Sequence, residues 1–153
     1  HLTGHRVGAV ATSKTRLIEM EKFLDSSTIC PSQIGQLAAL YGLNELSSWV
    51  SNQRNKINLK RDELIKCFKP LQKKGWKLSG LGAYFAYLEH PFDIDSKNLS
   101  KLMLEKLAIL VVPGALFYDK DNTDGDSFIR IAFANITVKE IKTLFKRLES
   151  FQP

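Results

Sequence analysis

An arginine inside an alternating apolar segment is the residue whose surroundings say most about chemistry. The segment Phe128 to Ala134 alternates with a period of two, which predicts a β-strand with Ile129 and Ile131 on one face and Arg130 on the other. The neighbours on the face of Arg130 include Ala132, which is too small to cover a guanidinium. We therefore expect room there for a planar anion, and a carboxylate fits the guanidinium fork. The alternative is a solvated arginine on an edge strand.

A second arginine lies in the glycine-flanked run Thr3 to Gly8. Gly4 and Gly8 surround Arg6 and lead into an apolar segment. Such an arrangement allows the backbone to approach a ligand closely and directs one cation at it, as in phosphate sites. The run lacks the lysine of a P-loop and the spacing of a dinucleotide fingerprint, and a plain turn before a strand gives a similar pattern.

Other motif matches are incomplete. Gly80 to Phe85 begins like a dinucleotide loop but lacks the third glycine, so a turn is predicted there. The acidic run Asp119 to Asp126 does not carry calcium ligands in the register of an EF-hand. The histidines have no pairwise metal-ligand spacing, and they are His1, His5 and His90. The sequence therefore predicts no metal site.

The N-terminal half of the chain is predicted to be mainly helical. A short strand is expected from Val7 to Ala11, followed by an amphipathic helix that contains Leu17. A second helix is expected to end at Gly42, and a long helix from about residue 45 to residue 74 to be stopped by Gly75.

The pattern of the C-terminal half predicts a mixture of strands and helices. Strands are expected over Ala83 to Leu88, Ile109 to Val112 and the segment of Arg130. The last helix has the capping-box spacing of Thr137 and Glu140 and a buried apolar stripe. This order predicts an α+β domain in which a small antiparallel or mixed sheet is covered by helices.

The 153 residues are enough for one packed domain, and 44% of them are hydrophobic. Eight basic and two acidic residues between Asn52 and Lys74 account for the net charge of +6. We interpret this stretch as the solvated face of a helix rather than a nucleic-acid site, because aromatic residues are not interleaved with the charges. No apolar run reaches the length of a membrane span. Two widely separated cysteines favour a cytoplasmic location.

Four ordered motifs together resemble the class I/II aminotransferases, which are pyridoxal-phosphate enzymes of fold type I. The motifs occur in the order seen in that family and extend over nearly the whole chain. They are Thr3-Gly4-His5-Arg6-Val7-Gly8, Gly82-Ala83-Tyr84-Phe85-Ala86-Tyr87, Val111-Val112-Pro113-Gly114-Ala115-Leu116-Phe117 and Phe128-Ile129-Arg130-Ile131-Ala132-Phe133-Ala134.

The resemblance gives both arginines an expected role. Arg6 matches the family arginine that binds the phosphate of pyridoxal 5'-phosphate. Arg130 matches the arginine that binds the substrate α-carboxylate, in enzymes that transfer an amino group between an amino acid and a 2-oxo acid. It also implies that residues 1–13 are the end of the large cofactor-binding domain and that residues 14–153 are the C-terminal small domain.

The resemblance further implies that the Schiff-base lysine lies about eight residues before Arg6, upstream of His1. We therefore expect no catalytic residue within this chain, which we predict to be an inactive C-terminal portion of a homodimeric parent. A C–S lyase or decarboxylase of the same fold stays open as an alternative. So does the ligand-sensing domain of a transcription regulator. A basic nucleic-acid-binding domain is a further alternative from a different class.

Overall fold

The computed structural model describes residues 2–153, so His1 lies outside the described residues. The chain divides into two compact units, one up to Asn52 and one from Gln53 to Pro153. Within the described residues, no helix is both long enough and apolar enough to cross a membrane.

The first unit is helical. Its helices are α1 (Lys14–Ser27), α2 (Gln33–Glu45) and the beginning of α3 (Ser47–Gln72). The strand predicted from Val7 to Ala11 does not form, because this segment finds no partner strand among the described residues and an extended segment alone makes no ladder hydrogen bonds. Gly42 does not end α2, which continues for another turn to Glu45.

The second unit contains the remainder of α3 and all of the strands. Gly75, at φ +86°, ends α3 as predicted, and Trp76 N donates to Leu71 O in the 6→1 bond of a Schellman motif. The elements that follow are β1 (Lys77–Gly82), β2 (Phe85–Glu89), α4 (Ser96–Leu107), β3 (Val112–Pro113), β4 (Phe128–Ala132) and α5 (Val138–Glu149).

These strands form one four-stranded antiparallel sheet in the order β1-β2-β4-β3. The prediction of an α+β fold with a small sheet covered by helices is confirmed. The turn predicted from Gly80 to Phe85 is confirmed only at Ala83 and Tyr84, because pairing with β2 holds Gly80 to Gly82 extended at the end of β1. Only Val112 of the predicted strand from Ile109 to Val112 pairs with β4.

One face of the sheet packs against α3, α4 and α5. Leu88 of β2 and Ile129 of β4 are fully buried on this face, together with Phe68, Met103 and Phe145 from the helices. The helix α5 begins with the predicted capping box, in which Thr137 Oγ1 accepts from Glu140 N at 3.2 Å and the Glu140 carboxylate accepts from Thr137 N. The helices thus cover one face and leave the face of Arg130 for a different role.

Candidate substrate-carboxylate site

Arg130 lies in the middle of β4, between two neighbouring strands. It is opposite Tyr87 of β2 and opposite Val112 of β3. The strand is therefore internal to the sheet, and the alternative of an arginine on an edge strand is wrong. Since the core face of β4 carries Ile129 and Ile131, alternation places Arg130 on the face that the helices leave open.

Two aromatic rings lie against the Arg130 guanidinium. Its Cζ atom lies 4.3 Å from the centroid of the Phe85 ring and 5.0 Å from that of the Phe117 ring. The sequence suggested a face covered only by small alanines. The structure instead shows an aromatic clamp, by which we mean Phe85 and Phe117 around Arg130. Both contacts are within the range of cation–π interactions.

The cation has no acidic partner among residues 2–153. Arg130 is half-buried, and its Nε atom is covered and makes no hydrogen bond to another described residue. A partly buried guanidinium without an acceptor favours binding of an anion, because burial without a partner costs free energy. Arg130 also lines a cleft of about 540 Å³, whose other walls include Val112 of β3 and Glu140 and Arg147 of α5.

Tyr87 stands beside Arg130 on the same face. Its ring stacks on Phe128 at a centroid distance of 4.9 Å and meets Phe117 edge-on at 6.2 Å. Burial raises the pKa of Tyr87 to about 12, and the neighbouring Tyr118 phenol acts in the same direction. Tyr118 is thus close to the Tyr87 hydroxyl, although that buried hydroxyl makes no hydrogen bond of normal geometry. Tyr87 is therefore a neutral phenol around pH 7.

The turn Gly114–Phe117 brings Phe117 to the clamp. A Cβ on Gly114 would lie 2.5 Å from Gly125 O and 2.7 Å from Phe128 Cβ, so only glycine permits this close approach. The same turn is attached to the start of α4, because Ala115 N donates to Ser96 Oγ at 3.2 Å. Ser96 is fully buried.

The turn around Gly125 is held from the side of β2. His90 N donates to Ser127 O at 2.9 Å, and His90 Nε2 lies 3.0 Å from Asp126 O. Burial lowers the pKa of His90, so its ring favours the neutral form. This histidine is therefore a structural support of the turn.

Arg6 lies in the first unit, in a loop after the 3₁₀ turn Thr3–His5. The loop rests on α2 at Gly35, where a Cβ would lie 2.9 Å from His5 O. Arg6 itself has φ +51°, whereas Gly4 and Gly8 do not adopt positive φ. Arg6 is the C-cap of this turn, a position at which the left-handed conformation is common, although it is unusual for a residue other than glycine.

The Arg6 side chain is exposed. One Nη atom donates to Thr3 O at 3.3 Å, and no carboxylate pairs with Arg6 within residues 2–153. The predicted roles of Arg6 and Arg130 stay predictions, as do the domain boundary after residue 13 and the position of the lysine. The two arginines belong to different compact units.

Neither aromatic ring of the clamp was predicted from the sequence. Phe85 could have been found from the aromatic strand around it, because alternation places Phe85 and Tyr87 on one face. Phe117 carried no local signal, since it reaches Arg130 through a turn distant along the chain. The fold and the clamp together define an α+β unit whose open sheet face carries a half-buried arginine.

The chain belongs to the class I and II aminotransferase family, whose model matches residues 1–148. Members of this family use pyridoxal 5'-phosphate, and the resemblance seen in the sequence is confirmed. The chain is 27% identical to an aspartate aminotransferase of Pyrococcus abyssi over 150 residues, which cover 97% of this chain and 37% of that protein.

Two further aminotransferases match nearly the whole chain, one in sequence and one in fold. An aromatic aminotransferase of Arabidopsis thaliana is 26% identical over 152 residues, covering 96% of this chain and 36% of the relative. The fold matches a solved aminotransferase of Staphylococcus aureus with a TM-score of 0.79 and 23% identity, covering 97% of this chain and 38% of that one. This chain thus spans little more than a third of the length of the proteins it matches.

The residues present fit part of a pyridoxal-phosphate site. Arg6 offers an exposed guanidinium without an acidic partner among the described residues, on a loop held close to α2 by Gly35. These features suit a phosphate group, which prefers arginine forks and backbone close to the ligand. The chemistry of Arg6 therefore fits a phosphate contact, which stays a prediction.

Proposed function

We propose that this chain is the C-terminal part of a pyridoxal-phosphate-dependent aminotransferase and that Arg130 binds the substrate α-carboxylate. The observation that carries the proposal is the half-buried Arg130 cation, which is clamped by aromatic rings and has no acidic partner in residues 2–153. Membership of the aminotransferase family supports the reaction class.

Arg130 would serve both halves of an amino transfer. An amino acid and a 2-oxo acid share the carboxylate group but differ at the neighbouring carbon. A guanidinium that accepts either carboxylate by two parallel N–H···O bonds holds both substrates in the same orientation. Such positioning is a large part of catalysis, because it replaces an unoriented encounter by a fixed geometry.

Arg6 would bind the phosphate of the cofactor. When bound, pyridoxal 5'-phosphate supplies an electron sink that stabilises negative charge at the substrate α-carbon. Arg6 takes no part in proton movement in this proposal. Its exposed guanidinium neutralises the phosphate charge and fixes one end of the cofactor.

We further propose that the groups that attach the cofactor covalently and move the α-proton lie in the parent protein, before His1. The chain matches about a third of the length of each relative, which supports a longer parent protein. The 153 residues alone would then be inactive, and the active parent would be a homodimer in the cytoplasm. Its substrates would be an amino acid and a 2-oxo acid.

The test uses the parent protein with the residues before His1 restored. We expect a visible absorption band when pyridoxal 5'-phosphate is added, and a change of that band with a subset of amino acids that yields 2-oxo acid products. Arg130→Leu should lower kcat/KM at least about a hundredfold, because a charge-assisted bidentate contact is lost. Arg6→Gln should weaken cofactor binding.

The matched control is Arg54→Leu, which removes an exposed arginine of α3 and should leave kcat/KM unchanged. A parent that shows no cofactor band, or whose band no amino acid changes, would contradict the amino-transfer proposal. Release of sulfide or carbon dioxide would assign lyase or decarboxylase chemistry instead. Transamination by the purified 153 residues would contradict the predicted inactivity.

A further inference from the structure

We propose that Phe117 is a positioning residue, whose ring together with that of Phe85 fixes the Arg130 guanidinium in the orientation that receives a carboxylate. This inference rests on the proposed function, because it assumes that Arg130 binds the substrate. It adds a residue that acts on the substrate through Arg130.

The first step is the geometry of the clamp. Both rings lie within 5.0 Å of Arg130 Cζ, and they come from different parts of the chain, β2 and the Gly114–Phe117 turn. Arginine has a long side chain with several rotatable bonds, so a free arginine loses much rotamer entropy when it binds a ligand. Two ring contacts restrict the side chain before the ligand arrives.

The second step is that Phe117 is itself held in place. Its turn is fixed by the close approach of Gly114 to Gly125 and by the bond from Ala115 N to Ser96 Oγ. Tyr87, which stacks on Phe128, meets the Phe117 ring edge-on. A ring supported from the turn and from the sheet can hold Arg130 in one orientation.

The third step is exposure. Phe117 is 49% exposed and Phe85 is 38% exposed, whereas the apolar residues of the core face are almost completely buried. A phenylalanine that leaves half of its surface in water contributes little to core packing. The contact with the Arg130 cation accounts for the placement of this ring. A cation–π contact stabilises most when the cation is partly removed from water.

The experiment compares variants of the parent enzyme in steady-state kinetics with several amino donors. Phe117→Leu should raise KM about fivefold for every donor, since a cation–π contact of ordinary strength is lost, while kcat stays within about twofold. Phe117→Tyr keeps the ring and should restore KM. Leu116→Ala, at a 64% exposed position in the same turn, is the matched control and should change neither constant.

Arg130→Leu separates this inference from the proposed function. If Arg130→Leu leaves kcat/KM unchanged, the proposed function fails. If Arg130→Leu raises KM strongly while Phe117→Leu leaves it within twofold, only the clamp fails. Phe85→Leu provides an independent second variant, which should raise KM in the same way.

A double variant tests whether Phe117 acts through Arg130. In the Arg130→Leu background, Phe117→Leu should produce no further rise in KM, because the group that the ring positions is absent. Additive effects of the two changes would overturn the inference and indicate direct contact between Phe117 and the substrate. A fall in kcat without a change in KM would also overturn it.

Discussion

The two compact units differ in how they bury apolar surface. In the unit from Gln53 to Pro153, helices and sheet enclose a core that includes Phe68, Leu88 and Phe145. In the unit that ends at Asn52, Gly35 is the buried residue of α2, and α1 has none among the described residues. Large apolar side chains of α2 are exposed, such as Leu43 at 79%. Helices without a buried face gain little tertiary stabilisation, so the two units should differ strongly in stability.

The largest expected effect comes from separating the two units. A chain of residues 46–153, which keeps α3 whole, should unfold cooperatively, because it retains the complete core. A peptide of residues 1–45 should show little stable helix, since isolated helices of this length are marginal in water. Circular dichroism during thermal unfolding measures both. Cooperative unfolding of the peptide alone would contradict the comparison.

A matched pair of leucine substitutions tests the comparison residue by residue. Leu88→Ala creates a cavity at a fully buried position of β2 and should lower the free energy of unfolding by about 2–5 kcal/mol. Leu43→Ala, at an exposed position of α2, should change it by less than about 0.5 kcal/mol. Denaturant titrations of the 153-residue chain give both values, and similar losses for the two variants would show that Leu43 is buried in solution.

The smallest expected effect is at the helix N-termini. Thr137 caps α5 through its side chain, whereas Ser13 precedes α1 without a side-chain capping bond. Thr137→Ala should therefore cost about 1 kcal/mol of unfolding free energy, and Ser13→Ala close to none. The same titrations measure the pair. An equal loss at both positions would show that the first unit depends on its cap as much as the second does.

The comparison also explains which parts of the fold could be predicted. Helix α5 was predicted closely, because Thr137, Glu140 and the apolar stripe are signals within a single short segment. The strand β1 was missed, since Gly80 and Gly82 favour a turn locally and only pairing with β2 makes them extended. The segment Val7 to Ala11 shows the reverse error, because its apolar residues predict a strand, but no segment within residues 2–153 pairs with it.

The candidate site also has features that the sequence predicts and features that it does not. Arg130 could be predicted from alternation along its own strand, which alone decides the face that each side chain takes. The aromatic rings around it could not, because Phe85 and Phe117 are brought together by strand order and by the close approach of Gly114 to Gly125. The positive φ of Arg6 could not be predicted either, since glycine is the residue that usually adopts this conformation.

The sequence by itself determined the family, through four ordered motifs. It also determined the capped last helix and the strand face of Arg130, since these depend on residue types at fixed spacings along one segment. The tertiary structure alone decided that β4 is an internal strand and that Arg130 lies between Phe85 and Phe117. Contacts between segments far apart in the chain depend on packing of the whole unit, and packing leaves no periodic mark in the sequence.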